Sequence, residues 1–169
     1  MIGPWILLFA DPAAAGELRE PVLELLSAYE QGASAEDLRK LGEGVPTELI
    51  AIARDSAVPH SRRGRAVSAL AHYPSPEVRT FLDAQLVGSD GYLQRKATGA
   101  IVRAFRDDAL PSVEPLLASE DRQLRLAAVN AVGALGSPRA REILSAHAAS
   151  ESDDTVKEAL TTALAEGSK

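Results

Sequence analysis

Three histidines, two aspartate pairs and the Gly-x-x-Gly from Gly133 to Gly136 are among the residues of this chain whose types and spacing could do chemistry. His60 precedes Ser61, and a hydrolase uses such residues as base and nucleophile. No glycines of a nucleophile elbow surround them, and neighbours in sequence seldom point at one another as a catalytic pair. None of His60, His72 and His147 has a second histidine three or four residues away, the spacing by which one helix face presents a metal site. Asp107-Asp108 and Asp153-Asp154 could act as paired carboxylates, but they stand at a helix end and a helix start, where capping accounts for aspartate. Gly133-x-x-Gly136 could cradle phosphate only after a strand, and none is predicted before it. The chain has no cysteine, which excludes disulfides, thiolate metal sites and cysteine nucleophiles. The expectation from these residues is a chain that is not an enzyme, with no catalytic, cofactor-binding or metal residues and no cofactor.

The elements that carry them repeat. Leu124, Ala128, Ala131 and Val132 fall, one period of about 31 residues earlier, on Leu93, Ala97, Ala100 and Ile101, and one earlier still on Arg62, Ala66, Ala69 and Leu70. One period later they fall on Val156, Leu160, Ala163 and Leu164. The spacing i, i+4, i+7, i+8 is one face of an α-helix, so four copies of one amphipathic helix are predicted, near 62–73, 92–105, 122–135 and 154–166. Second segments lie between them, opening at Pro46, Ser75, Leu110 and Ser137. Proline is tolerated in the first helical turn and serine is a good N-cap, so these are helix starts. Gly133 and Gly136 then read as a packing residue and a C-cap. The predicted inter-helix core includes Leu70, Ile101, Leu124, Val132, Leu135, Ile143 and Leu164. Aromatic residues are only 4% of the 169-residue chain, which suits helix-on-helix packing better than a sheet.

Asp90, Asp121 and Asp153 precede successive first helices, with Gln94, Arg125 and Lys157 four residues on and Pro59 and Arg63 in the first copy. Joined to the apolar stripe, this pattern resembles the HEAT-like repeat, in particular the short variety of phycobilin lyases. The resemblance runs from about Pro46 to Glu166 and is best in "DRQLRLAAVNAVGALGSPRAREIL". It implies an all-α fold, a short α-solenoid (α-α superhelix) of stacked helical hairpins over residues 46–169. Residues 16–45, with two helices closed by Gly32 and Gly42 and Ser34 capping the second, are expected to form an N-terminal cap or degenerate repeat. Function does not follow from the repeat, which serves many roles. The leading expectation is a non-catalytic scaffold or adaptor for protein–protein interaction. The alternative is an accessory subunit or enzyme of the phycobilin-lyase-like or DNA-glycosylase-like kind.

Charge supplies the surface clue. Residues 1–59 carry ten acidic and four basic side chains and residues 107–169 carry eleven and six, whereas His60 to Arg106 holds eight basic against three acidic. On the predicted helix, Arg95, Arg103 and Arg106 lie within roughly 80° of one another, off the apolar stripe. Arg65 and Lys96 hold the same position in adjacent repeats. These five residues form a candidate partner-binding basic patch for a protein with an acidic surface. A second reading of the charges is structural: each aspartate cap bridges to Arg125 or Lys157 of a neighbouring repeat. The net charge of −6 and the acidic flanks argue against nucleic acid.

At the N-terminus, the apolar run Trp5 to Ala10 followed by Ala13-Ala14-Ala15-Gly16 has two readings. One is a signal peptide over residues 1–15, which places the protein outside the cytoplasm. The other is a segment docked on the first helices of a cytoplasmic protein. The run is too short to span a membrane.

Overall fold

The computed structural model describes residues 12–27 and 34–166. The run Trp5 to Ala10 and the Gly32 terminator lie outside them. The described residues form α-helices and 3₁₀ turns, with no strand among them. A first helix, α1 (Pro12–Ser27), is followed by the short α2 (Ala35–Lys40), and then by the helical pairs. The first helices of the pairs are α4 (His60–Ala69, continued by a 3₁₀ turn to His72), α6 (Gly91–Phe105), α8 (Arg122–Gly133) and α10 (Asp154–Glu166). The second helices are α3 (Val45–Arg54), α5 (Pro76–Leu86), α7 (Leu110–Val113) and α9 (Pro138–Ala148). This is the all-α solenoid that the repeat pattern implies.

The local chemistry sets the boundaries. Asp90 accepts from the Leu93 amide at 3.1 Å, Asp121 from that of Gln123 at 2.8 Å, and Asp153 from that of Thr155 at 3.0 Å, capping α6, α8 and α10. Ser75 and Ser137 cap α5 and α9 through the Val78 and Ala140 amides, with proline in the first turn of each. Ser34 caps α2 through the amides of Glu36 and Asp37. The segment from Leu110 departs from the expected single helix: α7 stops at Val113 and a 3₁₀ turn spans Glu114–Ala118. Pro115 is the reason, because it has no N–H to give the carbonyl four residues back and its ring collides with that carbonyl.

The first helices stack side by side and pack on one another more extensively than the second helices do, so they form the more tightly packed layer. Leu70, Ile101, Leu124, Val132 and Leu135 are buried as expected. Ile143 and Leu164, on α9 and α10, are only half-buried and pack against the edge of the core. Gly133 faces α10 so closely that a Cβ there would stand 2.6 Å from the Ala163 Cβ, and Gly136 turns the chain at φ 62°. Both glycines therefore serve packing and capping, with no phosphate loop. At the other end Arg19 of α1 donates to Glu48 of α3 at 3.1 Å and pairs with Asp55, which ties α1 to the first pair.

Candidate partner-binding groove

Three of the five basic residues singled out in the sequence meet in one place. Arg95, Arg103 and Arg106 line a groove of about 440 Å³ between α6 and α8. They follow one stripe of α6, and the residue between Arg95 and Arg103 on that stripe is Gly99. A Cβ built on Gly99 meets nothing within 4 Å, so the groove owes part of its width to this missing side chain. The opposite wall is built from Ala127, Asn130 and Ala131 of α8 and from Ala134, its C-cap. Small residues there keep the wall low; Ala131, buried within the seam, has its remaining exposed surface in the groove.

The charges in the groove are held in different ways. Arg95 Nη1 lies 3.6 Å from Asp121 Oδ2, the cap of the next repeat. Arg103 and Arg106 are exposed and have no carboxylate within 4.0 Å among the described residues. Arg106 is also the non-glycine residue with positive φ, 54°, among the described residues, at the point where α6 ends. An L-residue in this region costs of order 1–3 kcal/mol, and such conformations cluster at functional sites. Beside Arg103, the His72 imidazole is held below its ordinary pKa by burial first, then by the Arg103 charge and then by Arg39. Arg39 was not in the sequence-derived set. It belongs to the acidic N-terminal stretch, and only the packing of α2 brings its charge to bear on this region.

Arg65 and Lys96 lie elsewhere. Arg65 is half-buried, its Nη1 donating to the Leu26 carbonyl of α1 at 2.7 Å, and Lys96 Nζ sits 5.4 Å above the Tyr92 ring. The groove does not include either residue.

The expected ladder exists with other rungs. Asp90 bridges to His60 Nε2 at 2.8 Å, Asp121 to Arg95, and Asp153 to Arg122 Nη1 at 3.9 Å, each joining consecutive first helices. Arg125 and Lys157 do not reach across to these caps. The position they occupy reaches backward instead: Arg63 donates to the Ala53 carbonyl at 3.0 Å, Gln94 to Leu86 at 3.0 Å, Arg125 to Ser119 at 2.8 Å, and Lys157 to Ser152 at 3.1 Å. A helix leaves its last carbonyls without intrahelical partners, and this repeated position satisfies one at or just beyond the end of each preceding second helix.

The remaining chemical candidates stay apart. His60 contacts Asp90 and packs on Tyr92, ring centroids 4.7 Å apart, and Ser61 is exposed. Asp107 and Asp108 sit in the 3₁₀ turn Arg106–Ala109, and Asp153 caps α10 while Asp154 pairs with Lys157. Among the described residues no group of three or more histidine, aspartate or glutamate side chains could hold a metal ion, and no helix is long and apolar enough to cross a membrane.

Comparison with known proteins agrees with the fold. A family model of HEAT repeats matches residues 80–165. The solved structure titled as the complex of CpcE and CpcF of phycocyanin lyase from Nostoc sp. PCC7120 is similar in one chain, with a TM-score of 0.63 and 18% identity over 90% of this chain and 99% of that one. No curated protein matches. The expectation that this chain is not an enzyme is corrected by that likeness. It rested on the lack of a catalytic motif, and the same fold serves in a lyase complex, so the lack of a motif does not carry the exclusion.

Proposed function

This chain belongs to the HEAT-repeat family, and we propose that it is a protein-binding subunit of a complex, which it joins through the arginine-lined groove between α6 and α8. The observation that carries the reading is the placement of Arg95, Arg103 and Arg106 along one wall, opposite small residues, with Arg106 kept in a costly backbone conformation. Arginine is suited to this work because its planar guanidinium can hold a carboxylate by two hydrogen bonds. An acidic protein surface is the complementary partner. Replacing Arg103 and Arg106 by serine leaves the helical signal intact, since both are exposed, and weakens binding of the partner recovered from the native host by about tenfold at low salt. Unchanged affinity would move the interface to another face.

A lyase-type activity of that complex is the second reading, favoured by a structural likeness that spans nine tenths of the chain. Assaying the purified complex, not the isolated chain, for chromophore attachment to or removal from an acceptor protein tests it. No turnover by the intact complex would set the reading aside.

A further inference from the structure

We infer that the partner element is a single α-helix lying along α8, with acidic residues on one flank and basic residues on the other. The inference rests on the protein-binding reading of the α6/α8 groove and extends it across α8. On the far side of α8 runs a second groove, of about 370 Å³, whose outer wall is α10. The two grooves share Asn130 of α8 and Ala134, its C-cap. The outer wall of the second carries Glu158, Thr162 and Glu166, at i, i+4 and i+8. That repeats the spacing of Arg95, Gly99 and Arg103 on α6 with the sign of the charge reversed. Glu158 and Glu166 are exposed and have no cation within 4.0 Å among the described residues.

The face is therefore a low floor between two walls of opposite charge. Neighbouring packed helices are about 8–10 Å apart, which puts α6 and α10 roughly 16–20 Å from each other. A helix laid over α8 at that same spacing has its axis roughly 11–14 Å from those of α6 and α10, within reach of the long arginine and glutamate side chains of both walls. The floor admits close approach because the residues that face upward from α8 include Ala127, Ala134 and the short Asn130. Like charges eight residues apart on each wall are about 12 Å apart along the axis, which matches two turns of a helix laid lengthwise. Its acidic flank meets Arg95 and Arg103, and its basic flank meets Glu158 and Glu166. Reversing the helix end for end would exchange its flanks, so the charges also fix its direction.

The probe is a synthetic helical peptide of about 18 residues with alanine and leucine toward α8, glutamate on one flank and lysine on the other. A control peptide has the same composition with both charges mixed on each flank. Binding to the full chain is followed by the amide shifts of Gly99, Asn130 and Ala134. The segregated peptide is expected to bind at least about tenfold more tightly than the mixed one. The preference should vanish in Arg103→Glu/Arg106→Glu and in Glu158→Lys/Glu166→Lys, and return when both walls are reversed together. Glu158→Gln/Glu166→Gln serves if a reversed variant loses its helical signal. Equal binding of the two peptides overturns the inference, as does concentration-dependent self-association of the chain through the same residues. If the native partner depends on Arg103 and Arg106 but not on Glu158 and Glu166, the helix falls and the arginine groove stands. Dependence on neither pair removes both readings.

Discussion

Arg125 and Glu151, on α8 and in the turn that follows α9, form an ion pair 3.0 Å long whose side chains are only 15% and 4% exposed. Glu151 Oε1 also accepts the amides of Ser152 and Asp153, while Arg125 holds the Ser119 and Glu120 carbonyls. One pair thus fastens α8 to two turns of the solenoid, the one before α8 and the one before α10. Burial raises the pKa of the Glu151 carboxyl, but the Asp153 amide, Arg125 and the Ser152 amide outweigh it and hold the group below its ordinary value. The stabilisation is then fully present above the unfolded-state pKa near 4.5 and is lost as pH falls through the lower folded-state value. Glu151→Gln is expected to cost about 2–3 kcal/mol at pH 7, because it leaves the arginine without its carboxylate. The deficit should shrink at pH 3. Denaturant unfolding at the two pH values checks it; a deficit that does not shrink in acid would show that the charge of Glu151 is irrelevant.

Gly133 and Ala163 mark a close seam between α8 and α10. Gly133→Ala should lose about 1–3 kcal/mol, as close-packed cores resist added volume. Adding Ala163→Gly removes the methyl group that the new Cβ meets, at the separate cost of glycine within α10, of about 1 kcal/mol. A double-mutant cycle therefore predicts a favourable coupling between the two substitutions. Strict additivity in thermal melts would mean that the two residues are not in contact.

Arg106 should show a trade between stability and binding. Glycine adopts positive φ without a Cβ penalty, so Arg106→Gly is expected to stabilise the fold by about 1 kcal/mol. The same substitution removes a groove cation and should weaken the partner. A variant less stable than the parent protein would show that Arg106 supports the fold through its side chain.

His72 reports on the groove without lying in it. Its folded-state pKa is lowered, so below pH 6.5 the unfolded chain takes up the proton first and stability falls with pH until the folded-state value is passed. An acidic partner neutralising Arg103 removes one of the causes of that shift. The His72 imidazole is therefore expected to titrate at higher pH in the complex than in the free protein, read from its ring proton resonances. An unchanged titration would place the partner's carboxylates away from Arg103.

The architecture was legible in the sequence because the apolar stripe of each first helix obeys one period and because the caps are strong. Leu93, Leu124 and Val156 hold one register, as do Asp90, Asp121 and Asp153. Where one residue redirects the backbone, as Pro115 does after α7, the repeat alone concealed the break. The site was only half legible. Arg95, Arg103 and Arg106 share a face by helical geometry alone, so their convergence followed from spacing. Arg65 shares its repeat position with Lys96 but has α1 beside it, and the Leu26 carbonyl takes its guanidinium; no periodicity within the repeats encodes that neighbour. The reach of Arg39 toward His72, and the opposed walls on α6 and α10, depend on tertiary packing between elements far apart in the chain.

The claim that the α6/α8 groove takes a protein partner can be checked by filling that groove. Gly99→Leu places a side chain where a Cβ meets nothing within 4 Å, and within a helix it replaces glycine by a better helix former, worth up to about 1 kcal/mol. The variant should melt at or above the temperature of the parent protein while its dissociation constant for the native partner, measured by titration calorimetry, rises by about tenfold or more as the groove is blocked. A Gly99→Leu protein that binds the partner as tightly as the parent would contradict the claim.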